Sequence, residues 1–86
     1  MTIEEAIEEL EGNERSVRFS RLVTICGVFF EKKSTVGSHY KFKTPWPLDP
    51  RISLQKDSKS GGKAKPYQVR QVIQCLKKLS EIRGKQ

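Results

Sequence analysis

The segment "TPWPLDP", Thr44 to Pro50, limits what this chain can fold into more than any other. Pro45, Pro47 and Pro50 each remove a backbone donor and fix φ, so neither strand nor helix runs through it and it is expected to be an ordered loop. Apolar and polar residues alternate on both sides. Before it, "SHYKFK" sets Tyr40 and Phe42 against His39, Lys41 and Lys43; after it, "RISLQK" sets Ile52 and Leu54 against Arg51, Ser53 and Gln55. A period of two marks a half-buried strand. With "VFFEKK" read as a strand ahead of a short turn, three consecutive strands at short spacing predict an antiparallel meander.

The flanking segments carry a helical period. "TIEEAIEELEGN" opens with Thr2, has Glu5 at the capping-box distance and repeats Ile3, Ile7 and Leu10, which predicts an acidic helix ending near Gly12. "SVRFSRLVTICG" places Phe19, Leu22, Val23 and Cys26 on one side, with Ser16 or Ser20 as N-cap and Gly27 at the C′ position. "DSKSGGKAK" reads as an exposed, mobile loop of Gly, Ser and Lys. Pro66 then suits the first position of a closing helix. Its apolar stripe is Val69, Val72, Ile73, Leu76, Leu79 and Ile82, and its polar face carries Gln68, Arg70, Gln71, Gln74, Lys77 and Lys78. The expected class is α+β in the order α-α-β-β-β-α, with the helices on one face of a three-stranded antiparallel sheet.

At 86 residues the chain is read as one domain, 1–86, with 1–14 as an acidic helical extension. A domain of this size buries only roughly 60 to 65% of its unfolded surface, which leaves a thin stability margin. Charge is unevenly spread. Six of the ten acidic residues precede Arg15, and from Arg15 onward 17 basic side chains face 4 acidic ones, an excess of 13. Such a footprint suits a polyanion, most often nucleic acid, although Lys-rich surfaces also simply confer solubility. No apolar run approaches the roughly 20 residues that span a bilayer, and the acidic start lacks a signal-peptide core, so a cytoplasmic location without membrane contact is expected. Cys26 and Cys75 stand far apart without a CxxC pair, so neither a metal site, a cofactor nor a disulfide framework is indicated, and both are expected to be reduced, half-buried thiols.

If Tyr40 and Phe42 face the core, the solvent face of the sheet shows His39, Lys41, Lys43, Arg51, Ser53 and Gln55. His39 is the only histidine. RNA drawn to the lysines brings its own nucleophile, the 2′-hydroxyl, and neutral His39 is suited to take its proton without any metal. Lys41, Lys43 or Tyr40 then stabilises the transition state or protonates the leaving oxygen. The plain alternative is a surface histidine with no task.

The string "VGSHYKF", followed by "RISLQ", a basic Gly-rich loop and "KAKPYQVRQVIQCL", resembles the HicA family of toxin ribonucleases over roughly Val17 to Leu79. Its most specific element is Gly37-Ser38-His39 at the start of the second strand, and "KTPWPLDPR" is similar to a subgroup of that family. The resemblance implies a double-stranded-RNA-binding-domain-like fold with its core at 16–83. It implies cleavage of messenger RNA without a metal, with His39 as the catalytic residue, and inhibition by a cognate HicB antitoxin that covers the active face. The acidic helix departs from the shortest family members; it caps the core, contacts the antitoxin or shields the basic surface.

For the substrate contacts, Gly37 permits positive φ and close approach of a phosphate, and Ser38 offers either a phosphate donor or a turn hydrogen bond. Lys63 and Lys65 precede a helix N-terminus, where anions are favoured, or belong to a solvated linker. Trp46 stacks a base, anchors the antitoxin or packs its own loop. The expected function is thus a toxin endoribonuclease. The competing readings are a non-catalytic RNA-binding module of the same fold, and a protein whose basic surface meets only an acidic partner.

Overall fold

The computed structural model describes residues 1–37, 39–46, 52–56, 59 and 61–84. They form α1 (Ile3–Leu10), α2 (Phe19–Phe29), β1 (Glu31–Val36), β2 (His39–Lys43), β3 (Ile52–Gln55) and α3 (Pro66–Gly84). The architecture is α+β: three helices and a three-stranded antiparallel sheet in the order β1-β2-β3.

The sheet keeps the alternation that its residues announce. Phe42, Ile52 and Leu54 are fully buried and Tyr40 is half-buried, while His39, Lys41, Lys43, Ser53 and Gln55 are exposed. α2 and α3 pack on the apolar face and α1 packs on α3. One core joins all six elements' apolar sides except that of β1, whose residues are exposed or half-buried along its whole length. β1 is an edge strand, irregular at Lys33, and its Lys-rich sequence discourages pairing with a further strand.

α1 starts with the expected capping box. The Thr2 N–H donates to Glu5 Oε1 at 2.7 Å, the Glu5 N–H donates to Thr2 Oγ1 at 3.1 Å, and these bonds hold the Glu5 carboxyl below the usual carboxylate range. Ile3, Ala6 and Leu10 enter the core, so this acidic helix is part of the domain's interior. Of its three expected roles, capping the core is the one seen.

α2 departs from expectation at both ends. Its N-cap is Arg18, neither Ser16 nor Ser20, and no side chain caps it. The first turn instead docks on a distant backbone: the Phe19 N–H donates to the Gly62 carbonyl at 2.9 Å. At the far end the helix runs past Gly27, because Phe30 buries its ring and its N–H donates to the Cys26 carbonyl at 2.8 Å. Val28 and Phe29 are therefore helical, and the strand expected from "VFFEKK" begins only at Glu31. It gains Ser34, Thr35 and Val36, expected in a turn, because they pair with Lys41, Tyr40 and His39.

The loop before α3 is likewise tied down where mobility was expected. Arg18 and Lys63 form an isolated antiparallel bridge, the Ala64 N–H donates to the Val17 carbonyl at 2.8 Å, and Ala64 is buried. Asp57, Ser58 and Ser60 of that loop lie outside the described residues, as do Arg51 and the "PLDP" half of the proline segment. On α3 the apolar stripe is buried from Val69 to Leu79, but Ile82 is exposed beyond the edge of the core. Gln68, expected on the polar face, is buried because its Nε2 reaches across to the Gln55 carbonyl at 3.4 Å and to Tyr67 Oη at 3.3 Å. Cys26 and Cys75 are reduced thiols and are buried, not half-buried. Burial, then the neighbouring Cys75 thiol, pushes the Cys26 pKa up to about 12, so it stays protonated.

Candidate nucleic-acid interface

The site is assembled at one end of the sheet by the β1–β2 hairpin. Gly37 follows β1 with φ +58, the left-handed conformation that tight hairpin connections require and that glycine adopts without penalty. Among the described residues, its chain neighbours aside, no atom lies within 4 Å of where a Cβ would stand, so the space above it is open. Ser38 lies outside the described residues. His39 opens β2, opposite Val36 on β1 and Gln55 on β3. These three share the solvent face, where Val36 is 71% exposed and His39 is also exposed.

Lys41 lies two residues further along the same face, between Ser34 and Ser53. Lys43 ends the strand, opposite Glu31 on β1. At about 3.3 Å per residue it stands roughly 13 Å from His39 along the strand, so the two do not act on one phosphate. Lys43 belongs instead to a groove of about 690 Å³ at the other end, walled by Phe29, Phe30, Trp46 and Ile82. Trp46 packs there: its ring meets Phe30 edge-on at 6.3 Å and carries the Lys78 ammonium 4.6 Å from its centroid. Of its three expected uses, packing is the one seen.

Lys63 and Lys65 approach the His39 end by another route. Gln55, which faces His39 across the ladder, accepts from Gln68 in the first turns of α3. Lys65 immediately precedes that helix, with its ammonium 5.9 Å from the Tyr67 ring. Lys63 is exposed and bridges Arg18 at the start of α2. The fold thus gathers Gly37, His39, Lys41, Lys63 and Lys65 toward the hairpin end and leaves Lys43 at the opposite one.

Sequence reasoning passed over two cations that join this end, Arg18 and Lys56. Both line a cleft with Tyr40 and Gly62. Only the position of Lys56 directly after the third strand offered a signal. Arg18 becomes visible once the loop is known to pair with α2. Among the described residues no group of three or more His, Cys, Asp and Glu side chains is placed to hold a metal ion, and no helix is long and apolar enough to cross a membrane.

No family model, no curated protein and no solved structure matches this chain. The resemblance to HicA therefore rests on the Gly37-Ser38-His39 segment and the order of the elements around it.

Proposed function

We propose that the chain is a toxin endoribonuclease of the HicA type, acting on messenger RNA in the cytoplasm and neutralised by a HicB-type antitoxin. The run of α2, a three-stranded antiparallel meander and α3 supports a double-stranded-RNA-binding-domain-like fold. The observation that carries the reading is the placement of His39: exposed, at the first residue of β2, on a polar sheet face with Lys41 and beside an open glycine turn.

In this scheme the neutral imidazole takes the proton of a ribose 2′-hydroxyl, and the freed oxygen attacks the adjacent phosphorus. The 5′-oxygen leaves with the bonding pair and takes up a proton, so the products are a 2′,3′-cyclic phosphate and a 5′-hydroxyl. Lys41 faces the charge that builds on the phosphorane. Of the three candidate proton donors it is the one on His39's face and at His39's end, since Tyr40 turns toward Phe19 and Lys43 lies at the far end. A lone general base contributes about 10² to 10⁴ in rate, which suits a slow nuclease.

Wild type and His39→Ala, matched by circular dichroism, are to be compared on purified RNA and on a substrate with a 2′-deoxy sugar at the cleavage point. The wild type is expected to cut only the ribose substrate and the variant neither. Equal cutting by the two proteins, or efficient cutting of the deoxy substrate, defeats the proposal. One observation favours a second reading: among the described residues nothing hydrogen-bonds the His39 ring to orient it, as a non-catalytic RNA-binding module allows. Binding without cleavage by both proteins would select that reading.

A further inference from the structure

The cleft beside Arg18 is the part of the hairpin end that the catalytic scheme leaves unused. It measures about 360 Å³, at the small end of ligand-binding clefts, and lies between the first turn of α2, Tyr40 and the residue that follows β3. Phe19 and Tyr40 form its apolar side, edge to face with ring centroids 5.5 Å apart. Arg18, Lys56 and the hydroxyl-bearing Ser20 form the polar side.

Two cations converge here from different elements. Among the described residues neither Arg18 nor Lys56 has an ion pair, whereas Arg21, three residues on, is bound by Glu9. The guanidinium is also placed. A Cβ on Gly62 would stand 3.2 Å from Arg18 Nη1, so the guanidinium lies against the Gly62 backbone, whose φ of +83 favours glycine. The first turn of α2, which has no side-chain cap, adds its partial positive charge to the same space, although its Phe19 N–H is already taken by the Gly62 carbonyl.

We propose that this cleft holds one phosphodiester of single-stranded RNA, clamped between Arg18 and Lys56, next to the nucleotide that His39 acts on. The inference rests on RNA being the ligand, as proposed above. Tyr40 and His39 are consecutive residues of β2 with side chains on opposite faces, so a strand held in the cleft passes around the hairpin end to reach the imidazole. A planar guanidinium and a mobile ammonium on one phosphate make charge-assisted bonds that neither makes alone. The space takes one nucleotide and not a duplex.

The test uses full-length His39→Ala protein, which binds RNA without consuming it, and a fluorescent single-stranded hexanucleotide. Adding Arg18→Ala and Lys56→Ala together is expected to weaken binding by roughly tenfold or more, since two charge-assisted contacts are lost. The slope of log K against log salt should fall by about 0.7, the value for one single-strand phosphate contact. Arg18→Lys with Lys56 intact should keep the slope and lose part of the affinity, because the charge stays and the fork goes. Arg83→Ala, a cation at the far end, should change neither quantity. Unchanged affinity and slope in the double variant, with RNA still bound by the parent, overturns the cleft and leaves the nuclease standing. Loss of binding in the double variant of a protein whose wild type never cuts RNA supports the cleft and removes the nuclease. A parent that binds no RNA removes both.

Discussion

The α1 side and the hairpin end of this domain use charge in opposite ways. On the α1 side carboxylates meet cations of the same chain: Arg21 grips Glu9 with two bonds of 2.7 and 2.8 Å, and Lys77 pairs with Glu11. At the hairpin end Arg18, Lys41, Lys56 and Lys63 have no carboxylate partner among the described residues. Two carboxylates, Glu9 on α1 and Glu11 at its C-cap, thus tie the acidic helix to α2 and α3, and neither reaches the basic end. Cations paired with carboxylates of α1 and the cations proposed to meet RNA are separated in space.

The largest expected effect would come from the side that serves cohesion. Leu10 on α1 is fully buried, and Leu10→Ala should lower stability by about 2 to 5 kcal/mol in a denaturant titration, with RNA affinity per folded molecule unchanged. A loss below that range would mean α1 is an appendage, and the comparison would break. Gly37→Val comes next, because φ +58 costs a branched residue about 1 to 2 kcal/mol, and it should also lower cleavage by tilting the hairpin that carries His39.

A smaller effect is expected at the Glu9–Arg21 pair, half-exposed on both sides. Arg21 holds the Glu9 carboxyl below the usual carboxylate range, chiefly through the hydrogen bond and against the opposing pull of burial. Stabilisation from a depressed carboxylate is present above the unfolded-state pKa and disappears as pH falls through the folded one. Arg21→Ala should thus melt slightly below the wild type at pH 7, and the two curves should merge below the carboxylate range. Raising salt should narrow the gap as well. Smallest of all in stability is Lys41→Ala, an exposed strand position, expected within about 0.5 kcal/mol of the wild type. Its RNA binding should nonetheless weaken, with the slope of log K against log salt lowered by about 0.7, and an unchanged affinity and slope would undo the assignment of this cation to the ligand.

Alternation made the sheet legible before any coordinates: Tyr40 and Phe42 against His39 and Lys41, then Ile52 and Leu54 against Ser53 and Gln55. The capping box did the same for α1. Where the reading failed, tertiary contacts had overruled local signals. Gly27 has the look of a helix stop, yet burial of Phe30 carries α2 two residues further. Gln68 is polar, but its amide reaches a strand carbonyl and is buried with it. The pinning of Gly62 to Ala64 left no mark in composition, since backbone pairing draws on groups that every residue has. With it went Arg18, the part of the candidate site that spacing alone does not bring near His39.

That pinning also orders events in time. The first turn of α2 is completed by Phe19 meeting Gly62, a contact between residues 19 and 62 that closes a long loop. Contacts of such separation form late, after their closure entropy has been met by other pairings. A chain still emerging from the ribosome, with residue 62 inside the exit tunnel, cannot make this contact, so the Arg18 cleft is not yet built. The cleft is therefore a property of the finished fold, complete only once residues 62 to 64 are free to pair with residues 17 to 19.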